Sequence, residues 1–427
     1  MSAGRNRGPI LLLESSTLIS AVGNGVMLVA LPWLVIEQTG SAGAAGLVSA
    51  AALLPLLVSS VFAGTLVDIV GRKPTAVGSD ILSGLAVAAI PLVDLVSGLS
   101  LGWIVVLAMI GAAFDPAGFT ARETMLPEAA TRAGWRLDRV NGMHEALFGV
   151  AFIIGPGLGG LMIGWFGPLT ALWVTAGGFA ASSVLATLIR GLPGAGRPPE
   201  HAAMAGVWRG TAEGFRFVWG DPALRSLALL TCAIVAAYLP FESVILPVYF
   251  ESQGEPARLG LIVTAMSAGG ILGAVLHARV VDLVGRRAVF VWAVFTACAL
   301  LGVLAFFPPF WVMVVVSFAV GLLYGPVNPI GNLAMQVLTP EQLRGRVVGI
   351  ITSTAYAAGP LGLLIAGPLV EWQGVRTAAL VFAALIIAAA AAGFLMPGLR
   401  RLDDLDVRLA VPSETEPGES APDASGP

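Results

Sequence analysis

Charged side chains are scarce in this sequence of 427 residues. Only 11% of them are Asp, Glu, Lys or Arg, against about 25% in soluble globular domains. In contrast, 57% of the residues are apolar and the mean hydropathy is +0.88. A chain with so little charge cannot cover a surface that faces water on all sides, which argues against a soluble enzyme. The net charge of −3 provides no basic field, so we expect no nucleic acid partner.

Cysteine, histidine and lysine are also too few for several kinds of site. The two cysteines, Cys232 and Cys298, lie in apolar runs and form neither a disulfide framework nor a CxxC metal motif. The three histidines are scattered, so a zinc site is not expected. The sequence has no GxxxxGK[ST] loop, and its single lysine, Lys73, precedes a proline, which argues against an ATP-driven pump. We therefore expect no metal and no cofactor.

Long apolar runs are what the sequence has in abundance. A helix needs about 20 apolar residues to cross a hydrocarbon core of ~30 Å. Twelve such runs are separated by Gly and Pro breakers, and they predict an all-α membrane protein with twelve transmembrane helices. The predicted spans are residues 10–36, 43–67, 75–96, 101–121, 140–164, 168–189, 224–250, 259–281, 288–306, 310–333, 347–370 and 375–396.

Positive charge is distributed unequally between the two sides that these spans define. When the spans alternate in direction, 21 of the 23 Lys and Arg residues lie on the side of the two termini, and Arg258 and Arg376 lie on the other. Cytoplasmic loops carry the excess of positive charge in membrane proteins. We therefore predict a multi-pass protein of the plasma (inner) membrane with both termini in the cytoplasm.

An internal repeat divides the chain into two halves. The segment GTLVDIVGRK at residues 64–73 ends the second span, and ARVVDLVGRR at residues 278–287 ends the eighth, an offset of 214. Two parallel copies of six helices are typical of transporters that expose a central site to the two sides of the membrane in turn. We predict an N-terminal half (residues 1–190), a cytoplasmic linker (191–223), a C-terminal half (224–396) and a disordered tail (397–427).

The linker contains a segment with helical amphipathic spacing. Trp208, Ala212, Phe215 and Trp219 recur at intervals of four and three residues, which places them on one face of a helix. That face either lies on the membrane surface or packs on the protein's own cytoplasmic side.

The repeated segment resembles the loop motif between the second and third spans of the major facilitator superfamily, and the resemblance covers about residues 8–396. Asp115-Pro116, the segment 122–128 and Gly155-Pro156 are similar to the branch that contains macrolide-efflux proteins and enterobactin exporters. The resemblance implies the major facilitator fold, with two pseudo-symmetric halves of six helices. It also implies a secondary transporter rather than an enzyme.

In this superfamily the repeated motif belongs to a gate on the cytoplasmic side. The resemblance implies that Asp68 meets the start of the eleventh span, near Arg344 and Arg346, when that side closes, and that Asp282 meets the start of the fifth. A carboxylate at the C-terminal end of a helix is disfavoured by the helix dipole and needs a positive partner. An apolar residue stands after each aspartate where the family usually has arginine, so the fuller salt-bridge network of the family is not expected. The predicted gating residues are Gly64, Asp68, Gly71, Arg72, Lys73, Asp282, Gly285, Arg286 and Arg287.

A second motif lies in the middle of the fifth span. Gly155-Pro156 is followed by Gly159 and Gly160. The proline kinks the helix, and the glycines admit close approach of a neighbouring backbone. In the resembled family this pattern marks antiporters that export their substrate.

Ionisable residues inside membrane spans are costly and mark functional sites. We predict Glu242 and Asp115 as the best candidates for proton coupling, followed by Asp80 and Glu145. Asp115 has a structural alternative, as the partner of Arg122 two turns later. Coupling by these groups would make the proton gradient the driving force, with no cofactor.

Other polar residues in the spans have two interpretations each. Asparagines line cavities but also join helices through hydrogen bonds. Glu14, His144 and, as an alternative to coupling, Glu145 are interpreted as interfacial residues that reach the lipid headgroups. The candidates to line the cavity are Asn24, Arg122, Asn328 and Asn332.

Together these features predict a proton-driven secondary transporter that exports a mostly apolar small molecule, such as a drug, a natural product or a siderophore. The few fixed charges in the spans disfavour strongly ionic substrates. Two alternatives stay open: an importer of a small nutrient on the same fold, and a non-transporting membrane protein or scramblase. We expect a monomer whose partners are the substrate, protons and the lipid bilayer.

Overall fold

The computed structural model describes residues 6–190, 204–340 and 343–403. Every regular element in these ranges is helical, and twelve helical segments are long and apolar enough to cross a membrane. The predicted all-α fold with twelve spans is confirmed. The side chains of Trp208 and Asp282 lie outside the described part of the chain, as do residues 191–203 of the linker and 404–427 of the tail.

Six spans build the N-terminal half, and glycines separate several of them. Gly71 ends one helix and begins the next with a φ of 98°, and Gly285 has the same position in the second half with a φ of 90°. Because only glycine adopts this conformation without strain, both motif residues are required by the turn itself. The helices are α1 (Gly8–Thr39), α2 (Ala42–Val70), α3 (Arg72–Ser97), α4 (Leu101–Ala133), α5 (Leu137–Phe166) and α6 (Pro168–Leu188).

Two of the six spans in the C-terminal half are interrupted. The seventh span contains a π-helical turn, Phe241–Ile245, and the tenth breaks at Gly325-Pro326. Interruptions of this kind expose backbone groups and often occur at functional sites. The linker helix is α7 (Met204–Gly220), and the others are α8 (Pro222–Pro240), α9 (Leu246–Glu251), α10 (Pro256–Val284), α11 (Arg286–Leu304), α12 (Phe310–Tyr324), α13 (Val327–Leu338), α14 (Arg344–Gln373) and α15 (Val375–Leu395).

Two helix pairs join the halves, α2 with α14 and α5 with α10. We name the face that carries residues 6 and 403 the terminal face, and the other the opposite face. Toward the opposite face, a Cβ on Gly46 would lie 2.5 Å from a carbonyl oxygen of α14, and one on Gly160 would lie 2.5 Å from a carbonyl oxygen of α10. Toward the terminal face, a Cβ on Gly64 or Gly349 would meet nothing within 4 Å. The halves are therefore closed together at the opposite face and apart at the terminal face.

A carboxylate reinforces the closed face. Glu371, near the end of α14, accepts hydrogen bonds from Ser41 Oγ (2.5 Å) and from the backbone N–H of Gly43 (2.9 Å). Both donors lie at the N-terminus of α2, where the helix dipole favours negative charge. This contact between the halves has to break when the opposite face opens.

The linker helix α7 packs on α14 and also exposes aromatic side chains. A Cβ on Gly214 would lie 2.7 Å from a side chain of α14, and Glu213 is 2.7 Å from Arg346. Phe215 and Trp219 stack with ring centroids 5.0 Å apart and are 48% and 40% exposed. One side of the helix is therefore packed on the protein, and its aromatic pair remains available to a membrane surface.

The start of the predicted tail is folded. Residues Pro397–Leu402 form a 3-10 helix, in which Leu399 and Leu402 are fully buried. Arg401 is 2.7 Å from Asp221, the residue that caps α8. Two buried leucines and this ion pair hold the segment against the C-terminal half.

Candidate functional site

A cavity of about 830 Å³ lies mainly in the C-terminal half, between α8, α10, α11 and the broken tenth span. Its volume is within the range of small-molecule binding sites. Most of its wall is apolar or aromatic, with side chains such as Met266, Phe290, Tyr324 and Met335. The cavity extends from Met335, close to the terminal face, to the π-helical turn of the seventh span.

Glu242 brings a carboxylate into this cavity. It lies in the π-helical turn between α8 and α9, and Tyr238, four residues earlier, lines the same wall. Pro240 and Pro247 bracket the turn, so the helix around Glu242 lacks two backbone N–H donors. The predicted candidate thus faces a space that a substrate can enter.

Two of the predicted cavity residues also line the wall. Asn328 and Asn332 follow the break between α12 and α13 and face the cavity one turn apart. Asn24 of α1 is half-buried and is not among the lining residues. Glu145 of α5 lines the cavity from the N-terminal half, near the terminal face.

Arg122 does not line the cavity, which corrects the prediction for it. Its guanidinium is 4% exposed and forms a buried ion pair with Asp80 of α3. The same carboxylate accepts hydrogen bonds from Ser182 Oγ of α6 (2.6 Å) and Ser20 Oγ of α1 (3.1 Å). A charge this deeply buried needs a hydrogen-bonded partner, and this network joins four helices of one half.

Asp115 is held by a different neighbour from the one considered in the sequence. Ser83 Oγ of α3 donates to Asp115 Oδ1 at 3.0 Å, while Arg122 is engaged by Asp80. Neither Asp115 nor Asp80 lines the cavity. Of the four predicted coupling residues, Glu242 and Glu145 therefore face the cavity, and the two aspartates lie inside the N-terminal half.

A buried acid–imidazole pair is the feature that the sequence did not indicate. Glu14 of α1 and His144 of α5 are each 3% exposed, and His144 Nδ1 is 3.2 Å from Glu14 Oε2. The sequence predicts interfacial positions for both, because they lie near the starts of the predicted spans 10–36 and 140–164. The crossing of α1 and α5 buries them instead, and no spacing along the chain relates residues 130 positions apart.

The first copy of the predicted gate lies in the open part of the molecule. Asp68 is half-buried and forms no ion pair with the described residues. Arg72 lies 3.8 Å from Glu128, and Lys73 Nζ donates to the carbonyl oxygen of Ile189 at 2.7 Å. These basic residues hold the terminal ends of α3, α4 and α6 together, and the meeting of Asp68 with α14 stays a prediction for the closed state.

The second copy is tied to neighbouring segments of its own half. The backbone N–H of Arg287 donates to Asp403 Oδ1 at 3.2 Å. At the start of α14, Arg344 Nε donates to a carbonyl oxygen of α13 at 3.0 Å, and Arg346 pairs with Glu213 of α7.

The glycines of the fifth-span motif pack α5 against two helices. A Cβ on Gly155 would be 2.7 Å from the Cα of Gly25, and one on Gly159 would be 3.1 Å from a carbonyl oxygen of α1. Gly160 faces the other way, toward α10. The motif therefore binds α5 to its own half on one side and to the C-terminal half on the other.

Comparisons with known proteins agree with this architecture. The sequence profile of the Major Facilitator Superfamily matches residues 13–257 and 243–419. A multidrug efflux pump, Tap, of Mycolicibacterium fortuitum is 46% identical over 400 residues, which cover 93% of this chain and 98% of the relative. Macrolide efflux protein A of Streptococcus pyogenes is 23% identical over 90% of this chain and 95% of its own. The crystal structure of the nucleoside transporter NupG superimposes with a TM-score of 0.72 at 13% identity and covers 93% of this chain and 99% of the other.

These observations describe a twelve-helix membrane transporter with two six-helix halves and a cavity that lies mainly in the C-terminal one. The chain belongs to the major facilitator superfamily. The predicted resemblance to macrolide-efflux proteins is confirmed by the streptococcal relative.

Proposed function

We propose that this protein exports mostly apolar small molecules, drugs among them, and that it uses the proton gradient to do so. The observation that carries the proposal is the cavity itself: about 830 Å³ of largely apolar space, closed at the opposite face, with the carboxylate of Glu242 in its wall. An apolar wall binds many different apolar groups, because the hydrophobic effect has no directional requirement. The similarity to a multidrug efflux pump over 93% of the chain supports the same function.

Proton coupling requires a group that changes charge within reach of the substrate. Glu242 and Glu145 both line the cavity, whereas Asp80 and Asp115 are engaged by Arg122 and Ser83. We assign coupling to the two cavity carboxylates. A substrate and a proton that share one cavity compete, and this competition is what exchange of one for the other needs.

The direction of transport depends on which face of the protein lies in the cytoplasm. We place the terminal face in the cytoplasm on the distribution of Lys and Arg, which makes the present state open to the cytoplasm. The motif of Gly155, Pro156, Gly159 and Gly160 resembles that of exporting antiporters. We further propose that a single chain in the inner membrane is the working unit.

The proposed direction is tested by accumulation of ethidium and a panel of antibiotics in cells with and without the protein. We expect lower accumulation in cells that contain the protein and loss of the difference after a protonophore is added. Equal accumulation would contradict export, and higher accumulation would indicate an importer.

Coupling is tested in proteoliposomes with an imposed pH gradient. Glu242→Gln keeps the size of the side chain but cannot change charge, so it should lose uphill ethidium transport and keep downhill exchange. Glu251→Gln, at the end of α9 in the same span, is the matched control and should transport like the parent. Uphill transport by Glu242→Gln at the parental rate would remove this residue from coupling.

Which face lies in the cytoplasm is tested by cysteine labelling in a chain whose Cys232 and Cys298 are replaced by alanine. A cysteine at Ser97, exposed at the opposite face, should react with an impermeant thiol reagent in intact cells. A cysteine at Asp138, whose side chain is 81% exposed at the terminal face, should react only after permeabilisation. Labelling of position 138 but not of position 97 in intact cells would show that the opposite face lies in the cytoplasm.

A further inference from the structure

The buried pair of Glu14 and His144 belongs to a larger group of ionisable side chains. Three carboxylates act on the His144 imidazole: that of Glu14 through a contact of 3.2 Å, and those of Glu123 and Glu145 through space. Glu14 and His144 are buried, whereas Glu123 and Glu145 are exposed beside them. Such a group combines a buried acid and imidazole, which can exchange a proton, with two carboxylates that solvent reaches.

The cations on the surrounding helices are either engaged elsewhere or exposed, as Arg132 of α4 and Arg279 of α10 are. Arg122 of α4 is bound by its aspartate partner, and Arg7 and Arg139 lie over the indole ring of Trp135. Helix α6 contains no ionisable residue, and α2 contributes only an acid, Asp68. On α10, which packs against α5, His277 Nδ1 contacts a carbonyl oxygen of its own helix at 2.6 Å. Among the described residues no Lys or Arg forms an ion pair with Glu14, so a proton on the pair is the charge that compensates this buried carboxylate.

The pair also has unused hydrogen-bonding atoms. Glu14 Oε1 and His144 Nε2 are buried and have no hydrogen-bond partner among the described residues. Buried polar atoms in folded proteins are normally paired, with protein groups or with ordered water. These two unpaired atoms lie on adjacent titratable side chains and are suited to accept a proton and pass it on.

Two spaces connect this group to its surroundings. A smaller pocket of about 330 Å³, between the terminal ends of α4 and α5, is lined by Glu123, Asn141, His144 and Glu145. Glu145 also lines the large cavity. The rings of Phe119 and Phe148 lie 6.2 and 6.5 Å from the imidazole and add apolar surface beside it.

We propose that Glu14, His144, Glu123 and Glu145 form a proton-binding site that exchanges protons with solvent at the terminal face and passes them to the cavity through Glu145. The inference deepens the proposed function and rests on its proton-driven transport. It assigns the proton route on the terminal side to α1, α4 and α5, while Glu242 remains the carboxylate on the far side of the cavity.

The first experiment observes the proton directly and does not depend on transport. Nitrogen-15 NMR of the histidine side chains is recorded on the purified full-length protein between pH 5 and 9, and His144→Gln identifies the signal that belongs to His144. We expect this signal to change with pH and its midpoint to move by about one pH unit or more in Glu14→Gln, since the nearest charge is then removed. Glu37→Gln, in the same helix but bonded to Trp33, should leave the midpoint in place.

The second experiment measures proton movement driven by an ethidium gradient in proteoliposomes that contain a pH-sensitive dye. Glu14→Gln and His144→Gln should lose this movement and keep ethidium exchange, and His277→Gln should behave like the parent. A His144 signal that is insensitive to pH, a midpoint unchanged in Glu14→Gln, or parental proton movement in both variants would overturn the proposal. A parent protein that exchanges no ethidium would instead count against the proposed function, and the NMR titration would still decide whether the site binds protons.

Discussion

Asp80 and Arg122 form a buried ion pair in the N-terminal half, whereas the internal repeat places Val294 and Met335 at the equivalent positions of the C-terminal half. The offset of 214 residues between the repeated motifs, and one of 213 between Pro127-Glu128 and Pro340-Glu341, give this correspondence. One half therefore fills a site in its interior with opposite charges, and the other fills it with apolar side chains. Met335 is free to line the cavity, which Arg122 cannot do while it is bound to Asp80.

A second pair of equivalent positions shows the same contrast. Asp115-Pro116 corresponds to Asn328-Pro329, at an offset of 213. Asp115 is bonded to Ser83 inside its half, and Asn328 faces the cavity with a neutral amide. The two halves have diverged at these equivalent polar positions: the N-terminal half uses charge to join its own helices, and the C-terminal half has neutral side chains there.

In the C-terminal half, close backbone approach joins α10 and α12. A Cβ on Gly321 of α12 would clash with the carbonyl oxygen of Met266, and one on Gly273 of α10 would clash with that of Leu322. Small residues permit such contacts between membrane helices and increase van der Waals packing. Substitutions at these positions test the difference between the two halves.

The largest effect is expected from removing one partner of the ion pair. Arg122→Met leaves the Asp80 carboxylate buried without its cation, which costs roughly 3–5 kcal/mol of unfolding free energy. The double change Asp80→Val and Arg122→Met copies the C-terminal half and should recover most of that loss. Denaturant unfolding followed by tryptophan fluorescence measures both. A single variant as stable as the parent, or a double variant no better than the single one, would contradict the comparison.

The next effect concerns the backbone contacts of the other half. Gly321→Ala introduces a methyl group against a carbonyl oxygen and should cost about 1–3 kcal/mol, because α10 and α12 must move apart. Gly177→Ala in α6 is the control, since its Cβ would meet nothing within 4 Å. That variant should be as stable as the parent or more stable by roughly 0.5–1 kcal/mol. Equal losses of unfolding free energy in Gly321→Ala and Gly177→Ala would show that helix propensity, and not packing, determines the effect.

A smaller effect is expected from exchanging the polar residues at equivalent positions. Asn328→Asp places another carboxylate in the cavity and should strengthen ethidium binding about fivefold, which corresponds to an attraction of ~1 kcal/mol. Asp115→Asn should leave the dissociation constant unchanged, because Asp115 does not line the cavity. Fluorescence titration with purified protein measures both constants. An equal change in the two variants would place Asp115 at the binding site.

The smallest effect concerns the two faces rather than the two halves. Glu371→Ala removes the acceptor at the N-terminus of α2, worth about 1 kcal/mol, and should raise the population that is open at the opposite face. Spin labels at Ser97 and Ser252, both exposed at that face, report the population as a longer distance. Asp68→Asn should not lengthen this distance, since Asp68 has no ion pair to lose in the described part of the chain. An unchanged distance in Glu371→Ala would show that glycine packing alone keeps the face closed.

Much of the fold could be predicted because it depends on local properties. The length of each apolar run predicts a span, and the glycine of each repeated motif marks the turn that ends it, as Gly71 and Gly285 do. The extended ends of several helices were not predicted: α4 continues to Ala133, well beyond the apolar run that ends near residue 121. Its last turns are polar, and packing against neighbouring helices, not hydropathy, keeps them helical.

The candidate site could be predicted in part. Glu242, Asn328 and Asn332 were indicated by polar residues inside apolar spans, and all three line the cavity. The partner of Arg122 was not predictable, because Asp80 is 42 residues away and Asp115 lies closer along the same helix. The helix crossing decides which acid reaches the guanidinium.

The sequence by itself determined the number of spans, the repeat that makes two halves, and the unequal distribution of positive charge. Each of these follows from the order of residue types along the chain and does not require knowing which residues meet in space. The tertiary structure alone decided which buried acids are paired, which face the cavity, and that Glu14 meets His144. The physical reason is that a buried charge is compensated by whatever side chain the crossing helices bring within a few ångströms, and these helices are separated by up to 130 residues of sequence.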